Sequence, residues 1–519
     1  MAIANAANTK AKTVADPCAA YNSLKAIWVR CKAVCGGEKN VKDFDNFIGM
    51  GNFLIPFSPS MTQEQYDFYK AEAELPGITA QFSKMLVGGL LRKKPSLSLP
   101  KEVPEEAHDW IINQFGQDDS SLISFLDEAL WEEIRTSRCW VNIDYPMIDN
   151  PEVLSKDERK ALKPYPVIWD ADFVINWSVG KNPVTGKKML TRIITRGYVE
   201  KFTDSNKYHP EQIDTVTVHE IDDNGFYKIT IHEKSTPSQE VPVVAGHKVL
   251  DPARDNSHFE VVKVIENILV NGERLDFIPA WPLNGSIDGQ EPVLSAIVDK
   301  EIALYNKVSR RNHLLYGAAT YTPIIISDML DETFEKVVGA GLGSWIKLNQ
   351  GDDAKILDTP TAALADMDRA IAAGIEEMAK LGIRMLSPET AQSGIALHLR
   401  NASQTAQLGS LNSKICSTFQ QIIAFMIRWR YNIIVPAHSI KFSMSSDFNA
   451  LPIGTDWMKL ATQWYQDGLI PRSIWLDMLK QNDMLEPTYD DEAGKQEINS
   501  DEIILDNTND NYANQVKGA

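Results

Sequence analysis

Residues 293–317 read VLSAIVDKEIALYNKVSRRNHLLYG, and apolar side chains recur in this stretch at intervals of three and four. The apolar positions that share one helical face are Leu294, Ile297, Val298, Leu304, Tyr305, Val308 and Leu315. A helix over this stretch would be about 37 Å long at about 1.5 Å per residue. The sequence therefore predicts one extended helix that begins near residue 291.

Two further long helices follow a short insert. Residues 317–360 predict a small α/β piece with strand TYTPIII, helix DMLDETFEKVVGAG and strands SWIKL and AKIL. The spacing of three and four returns at 361–384, and a helix from about 397 to 432 would be about 50 Å long. Between them, Ser387-Pro388 through Gly394 forms a break, because proline cannot continue a helix unchanged.

The part of the chain before these helices changes from a helical pattern to a strand pattern. Thr62 and Gln65 form a candidate capping box, and residues 121–135 predict an amphipathic helix. Strand patterns dominate residues 165–285, where DDNG at 222–225 predicts a hairpin turn. These patterns together predict an α+β fold. The small, polar residues 1–20 and the acidic residues 486–519 predict disordered ends.

Composition limits the class of protein. The chain has 519 residues, of which 44% are hydrophobic and 24% charged, as in an ordinary folded protein of several modules. No apolar run approaches the roughly 18 residues of a membrane span, and the N-terminus lacks an apolar secretion segment. Five scattered cysteines favour a reducing compartment. A net charge of −18 argues against a general nucleic-acid-binding surface, so any DNA contact should be local or weak.

The common catalytic motifs are missing from the sequence. No GxxxxGK[ST], GxGxxG after a strand, HExxH or GxSxG occurs, which favours a protein that is not an enzyme and has no cofactor or metal. The catalytic alternative is a metal-dependent DNA-processing enzyme that holds Mg²⁺ through the carboxylates of His219-Glu220 and His232-Glu233. We favour the interpretation that these pairs lie on the solvent face of a hairpin. A zinc site at Cys31-x3-Cys35 is disfavoured because no second ligand pair lies nearby.

Four segments, in this order, resemble the portal proteins of tailed bacteriophages. They are GGEKNVKDF, FLIPFSPSMTQEQYDFYKAEAELPGITAQFSKMLVGGLLRKKP, LDEALWEEIRTSRCWVNIDYP and IEEMAKLGIRMLSPETAQSG. The chain is most similar to a large portal-like family catalogued as a domain of unknown function, and the resemblance extends over most of residues 20–485. It departs from that family where Lys70-Ala71 and Glu72-Ala73 stand in place of the usual Arg-Ala pair.

The resemblance implies a subunit architecture with named parts. A disordered N-terminal arm (1–20) precedes the wing (21–290), which is helical to about 140 and β-rich over about 141–285. Stem helix 1 (291–316), the clip (317–360), stem helix 2 (361–384) and the tunnel loop (385–396) follow. A long kinked wing helix with its return strand (397–450), the helical crown (451–485) and an acidic tail (486–519) complete the chain.

The resemblance also implies a function. Twelve subunits would form a ring at one capsid vertex of the virion, made in the host bacterial cytoplasm and without contact to a membrane. Double-stranded DNA would pass through its channel during packaging and ejection without sequence recognition. Terminase and then head-tail adaptor proteins would dock on the ring, which would also contact the major capsid or scaffold protein. A minor capsid or scaffold protein without a channel is the remaining alternative.

Two groups of candidate site residues follow from the resemblance. The candidates facing DNA at the tunnel loop are Lys380, Arg384, Ser387, Pro388, Glu389, Thr390, Gln392 and Arg400. The candidates for the clip and adaptor interface are Asp328, Asp331, Glu332, Glu335, Lys336, Trp345 and Lys347.

Overall fold

The computed structural model describes residues 12–45, 53–146, 162–203, 206–234, 243–244, 247–248, 258–319, 322–326, 351, 353–357, 362–381, 394–445, 462–468, 471–472, 475–476 and 479. The chain divides into two units, Met1–Ser446 and Asp447–Ala519. The first unit contains helices α1 (Ala19–Cys35), α2 (Glu38–Asp45), α3 (Gln63–Glu72), α4 (Ile78–Leu90), α5 (Glu106–Asn113), α6 (Leu122–Thr136), α7 (Ser295–Ala319), α8 (Ala362–Leu381) and α9 (Gly394–Tyr431). None of these described helices is long and apolar enough to span a membrane.

The strands of the first unit form one large sheet, one small sheet and several two-stranded ladders. In chain order they are β1 (Ser96–Ser98), β2 (Trp140–Asp144), β3 (Tyr165–Trp169), β4 (Val174–Lys181), β5 (Lys188–Thr203), β6 (Asn206–Ile221), β7 (Tyr227–Lys234), β8 (Val243–Val244), β9 (His247–Lys248), β10 (Phe259–Ile265), β11 (Leu269–Val270), β12 (Glu273–Arg274), β13 (Ala280–Pro282), β14 (Thr322–Ile326), β15 (Asp353–Leu357) and β16 (Lys441–Ser443). The mixture of helices and mainly antiparallel sheets confirms the predicted α+β class.

Local sequence signals account for several helix boundaries. The Thr62 side chain accepts a hydrogen bond from the Gln65 backbone N–H, and the Gln65 side chain accepts one from the Thr62 N–H, which confirms the capping box. Ser121 caps α6 through the Ser124 N–H. The apolar face predicted for α6 is buried throughout, so its periodicity identified the core side correctly.

Strands β10, β7, β6, β5 and β4 form, in that order, a five-stranded antiparallel sheet. The predicted hairpin turn joins β6 to β7, where Gly225 has φ 82° and Asp222 accepts a hydrogen bond from the Gly225 N–H through its backbone oxygen. On one face of this sheet, Ile194, Val216 and Val218 pack against Trp28 and other residues of the N-terminal segment. This packing forms one of the buried cores of the first unit.

Part of the predicted N-terminal arm is therefore packed rather than disordered. Ala15 is completely buried in that core, and the Cys18 backbone N–H donates to the Ile175 carbonyl at 3.0 Å. The polar composition of residues 1–20 concealed these contacts, because an alanine and a backbone amide can be buried by a sheet that lies far away in sequence. Residues 1–11 lie outside the described residues.

A buried ionic cluster connects the helical part to the β-rich part. Lys32 of α1 lies 2.9 Å from Glu132 of α6 and 2.6 Å from Asp172, which follows β3. Glu132 also pairs with Arg135 and accepts the Ala171 N–H at 3.1 Å. Each charge is thus compensated inside the protein, where an uncompensated charge would be costly.

Strands β13, β2 and β3 form a three-stranded sheet that covers the other face of the five-stranded sheet. Trp169 of β3 lies against His219 of β6 with ring centroids 4.8 Å apart, and His219 Nδ1 is 2.7 Å from the Tyr227 hydroxyl. His219 is only 6% exposed. The expectation of a solvent-facing hairpin is therefore wrong for His219, because a second sheet covers this face.

Acid is expected to destabilise the folded chain through His219. Burial lowers the pKa of His219 from 6.5 to about 3, so the unfolded chain binds a proton between these values and the folded chain does not. The free energy of unfolding should therefore fall as the pH falls below 6.5, by about 2 kcal/mol at pH 5 from this group alone. Urea unfolding of wild type and of His219→Gln, each at pH 7 and at pH 5, measures this contribution. An identical pH dependence in the two proteins would disprove it.

The described part of the second unit is short. A helical turn over residues 462–466 ends at Gly468, which has φ 70°. Trp475 stacks on Tyr465 with ring centroids 4.9 Å apart, and its indole N–H donates to Thr462 at 3.4 Å. This contact brings together residues that lie before and after Gly468. The remainder of the predicted crown and the acidic tail lie outside the described residues.

Candidate functional site

The candidate site is the helix pair α7 and α8, which brackets the insert predicted as the clip. Two ion pairs fix the helices antiparallel: Lys300 lies 2.7 Å from Glu377, and Arg311 lies 2.9 Å from Asp368. Midway between them, a side chain at Gly374 would come within 3.2 Å of Leu304, so glycine allows close approach of the helices. The strands β14 and β15 of the insert pair antiparallel at the end of this helix pair.

Helix α7 is anchored in the helical body through polar groups on its buried face. Glu301 is fully buried, and its carboxylate accepts the backbone N–H groups of Ile78 and Thr79 at 2.8 and 2.7 Å. These N–H groups belong to the first turn of α4, where the N-cap residue Gly77 offers no side-chain acceptor. Glu301 thus caps α4 from another helix and places a negative charge at its positive end.

Loss of the Glu301 charge should destabilise the fold. Glu301→Gln keeps the shape of the side chain, but its amide cannot accept both N–H groups as an ionised carboxylate does. We expect the free energy of unfolding to fall by about 1.5–3 kcal/mol, the range for hydrogen bonds to charged groups. Urea unfolding should show this loss and almost none for Glu102→Gln, which removes an exposed carboxylate. Equal stabilities for the two variants would contradict the capping role.

Helix α8 has one packed face and one exposed face. Its principal partner among the described elements is α7. The packed stripe is Leu364, Met367, Ile371, Gly374 and Met378, all buried or half-buried. On the opposite face Ala365, Ala372 and Ala373 are exposed beside the charged Arg369 and Glu376, and Ile375, at the edge of the packed stripe, is 45% exposed. The alanines on this face are small enough for another helix to approach closely.

Charge on the helix pair is balanced. Helices α7 and α8 together carry six basic and six acidic residues, although the whole chain has a net charge of −18. The excess negative charge of the chain therefore lies outside these two helices. A surface of this kind neither attracts nor repels phosphate strongly.

The structure locates two of the predicted tunnel-loop residues. Lys380 lies in the last turn of α8 and Arg400 lies near the start of α9. The other candidates lie outside the described residues, and so do all the candidates for the clip and adaptor interface. These sets comprise Arg384, Ser387, Pro388, Glu389, Thr390 and Gln392 at the loop, and Asp328, Asp331, Glu332, Glu335, Lys336, Trp345 and Lys347 at the clip.

Sequence reasoning missed Glu301, although one signal pointed to it. The buried face of α7 includes Ile297, Val298, Leu304 and Tyr305, and Glu301 lies on that face at helical spacing. A carboxylate on an apolar helix face is seldom buried without a charged or hydrogen-bonding partner. That pattern indicates a partner but not which one, because α4 lies more than two hundred residues earlier in the chain.

The carboxylates of the catalytic alternative do not converge. Glu220 lies opposite Lys228 in the β6–β7 ladder and pairs with Arg192, whereas Glu233 lies opposite Thr215 and pairs with Lys201. The two positions are five residues apart along the ladder, or about 17 Å at the rise of a strand. In the described part of the chain, no group of three or more His, Cys, Asp or Glu side chains could hold a metal ion.

Comparisons with known proteins identify related segments. A family model described as a domain of unknown function (DUF4055) matches residues 293–430, a span that contains α7, the insert, α8 and nearly all of α9. No curated protein matches the chain significantly.

Two solved structures are similar to the chain over most of its length. One is described as the virion of a native gene transfer agent (GTA) particle and the other as the neck of an empty GTA particle computed with C6 symmetry. Each match has 10% sequence identity and covers 78% of this chain and 89% of the other, with TM-scores of 0.36 and 0.35. TM-scores this low do not establish a common fold.

Proposed function

We propose that this chain is the subunit of a portal ring, the structural assembly through which double-stranded DNA enters and leaves the head of a tailed phage. The observation that carries the proposal is the unequal packing of α8, which contacts α7 along one stripe, exposes alanines on the other side and exposes Ile375 at the edge of the stripe. In a ring, that exposed face would pack against the helix pair of the neighbouring subunit.

The order of the elements supports this assignment. A helical and β-rich body leads into α7, the insert bounded by β14 and β15, α8 and the 38-residue helix α9. The portal resemblance of the sequence has the same order, and the domain match begins and ends within this series of helices. Helix α7 is fixed to the body through Glu301 and Asn306, which accepts the Ile55 N–H at 2.7 Å. A channel wall needs such an anchor, because each subunit must hold its helices at one angle.

When one surface of a subunit packs against a different surface of the next, the subunits form a closed ring if the successive rotations add up to a full turn. A twelve-subunit ring would bring twelve helix pairs side by side around an axis. Their balanced charge would make contact with a passing duplex weak, and weak contact permits transport in both directions. The clip would bind terminase and later head-tail adaptors, and the body would contact the capsid or scaffold protein. This role is structural and requires no catalysis.

The mass of the purified protein tests self-assembly. Sedimentation velocity should show a species with about twelve times the chain mass of 58.1 kDa. A discrete species at a neighbouring multiple of that mass would also support ring formation. A single species of 58.1 kDa at all concentrations would count against the proposal.

A further inference from the structure

A cavity of about 430 Å³ lies between the five-stranded sheet and the three-stranded sheet, beside the end of α9. Strands β2 and β3 contribute one wall, strands β6 and β7 another, and Trp429 of α9 contributes at one edge. The cavity opens to solvent on one side, since Leu269 in its lining is 52% exposed. A space of this size falls within the range of small-molecule sites.

The lining of this cavity combines aromatic rings with negative charge. The aromatic lining residues are Tyr145, Trp169, Phe173, Tyr227 and Trp429. Asp144 and Glu266 also line it, and none of its described lining residues is Lys or Arg. His219 adds no positive charge at neutral pH, because burial holds its pKa at about 3. The cavity is therefore acidic and rich in aromatic faces.

Asp144 is the carboxylate best placed to bind a ligand. It accepts the Tyr145 backbone N–H at 2.8 Å and a hydrogen bond from Tyr165, and burial raises its pKa. Burial and, to a smaller extent, the charge of Asp144 raise the pKa of Tyr227, which is consistent with the two groups lying near each other. Glu266, in contrast, already pairs with Lys228 at 3.1 Å and is more exposed.

Another polar group of the lining, the side-chain oxygen of Asn142, has no hydrogen-bond donor in the described structure. Asn142 is 6% exposed. Asn142 and Asp144 alternate along β2 and so lie on the same face of the small sheet. Buried acceptors are usually satisfied. A ligand with N–H groups would provide the missing donor as well as a positive charge for Asp144.

We propose that this cavity binds a small organic cation, a primary amine with an aromatic or alkyl body. The ammonium group would pair with Asp144, and the body would lie against the aromatic walls formed by Trp169 and Tyr227. Aromatic faces attract cations through their quadrupole, and a desolvated site strengthens this attraction. The proposal is independent of the ring, because the cavity is lined only by the β-rich part of one subunit and by Trp429 of the same subunit.

Two probes of similar shape and different charge test the proposal. Isothermal titration calorimetry of wild type should show 2-phenylethylammonium binding about tenfold more tightly than neutral 2-phenylethanol. Asp144→Asn should remove this preference, since the amide keeps the shape of the carboxylate without its charge. Asp223→Asn, which removes an exposed carboxylate from the hairpin turn outside the cavity, should retain the preference.

The wild-type comparison decides the proposal even if Asp144→Asn fails to fold. Equal affinity for the two probes, or tighter binding of the alcohol, would identify an apolar cavity without selectivity for cations and would overturn the inference. The absence of binding by both probes at millimolar concentration would overturn it as well. A preference that survives Asp144→Asn would exclude Asp144 as the anchor.

Discussion

Substitution of Ile375 by aspartate is expected to convert the rings into single subunits. Ile375 is 45% exposed at the edge of the stripe through which α8 packs on α7, so the folded subunit can tolerate a charge there. In the proposed ring, the same side chain would be buried against a neighbour, where an unpaired carboxylate is costly. Because one chain carries both surfaces of the contact, the penalty would recur at every interface.

Sedimentation and circular dichroism together measure this effect. The Ile375→Asp variant should sediment as a single chain of 58.1 kDa, whereas wild type should sediment as the ring. The circular dichroism spectra of the two proteins should show the same helical signal. Ile434→Asp is a matched control, because Ile434 is an apolar residue with 76% exposure that lies after the end of α9. Rings of wild-type stability from Ile375→Asp would show that this face of α8 is not the subunit contact.

Removal of the Arg196 guanidinium is expected to cause the largest loss of stability in the β-rich part. Arg196 of β5 and Asp214 of β6 are 6% and 0% exposed and form two hydrogen bonds, of 2.8 and 3.3 Å. Arg196 also donates to the Ala15 carbonyl at 3.4 Å, which connects the N-terminal segment to the sheet. Arg196→Met would leave the Asp214 carboxylate buried without this guanidinium, at a cost of about 3–5 kcal/mol.

The chain offers a matched control for this prediction on the same two strands. Arg192 of β5 pairs with Glu220 of β6 at 2.9 Å, but Arg192 is 55% exposed. Arg192→Met should therefore cost less than about 1 kcal/mol. The double variant Arg196→Met with Asp214→Leu should recover much of the lost stability, because apolar residues can replace a buried pair. Urea unfolding measures all three, and a loss below 1 kcal/mol for Arg196→Met would contradict the argument.

Sequence periodicity was sufficient to locate the long helices. The helices predicted at 291–316, 361–384 and about 397–432 are found at Ser295–Ala319, Ala362–Leu381 and Gly394–Tyr431. Spacing of apolar residues is a local property, so it identifies a helix and its buried face without knowledge of the partner. The capping box at Thr62 and the hairpin turn that includes Gly225 were also predictable, because each depends on a few residues adjacent in sequence.

Contacts between distant segments were not predictable from these patterns. Alternation along β6 shows that neighbouring side chains face opposite sides, but it does not show that a second sheet covers His219. The pairing of Glu301 with the start of α4, and of Arg196 with Asp214, likewise depends on which elements meet in three dimensions. The candidate cavity depends on the same meeting of two sheets, and the sequence alone gave no indication of it.

Electron microscopy of the purified protein tests the central claim most directly, that copies of this chain close around an axis large enough for DNA. We expect end-on views to show closed rings of uniform diameter with a central hole wider than a duplex, and side views to show a narrower clip. Compact particles without a pore, in every assembly that the chain forms, would contradict the account.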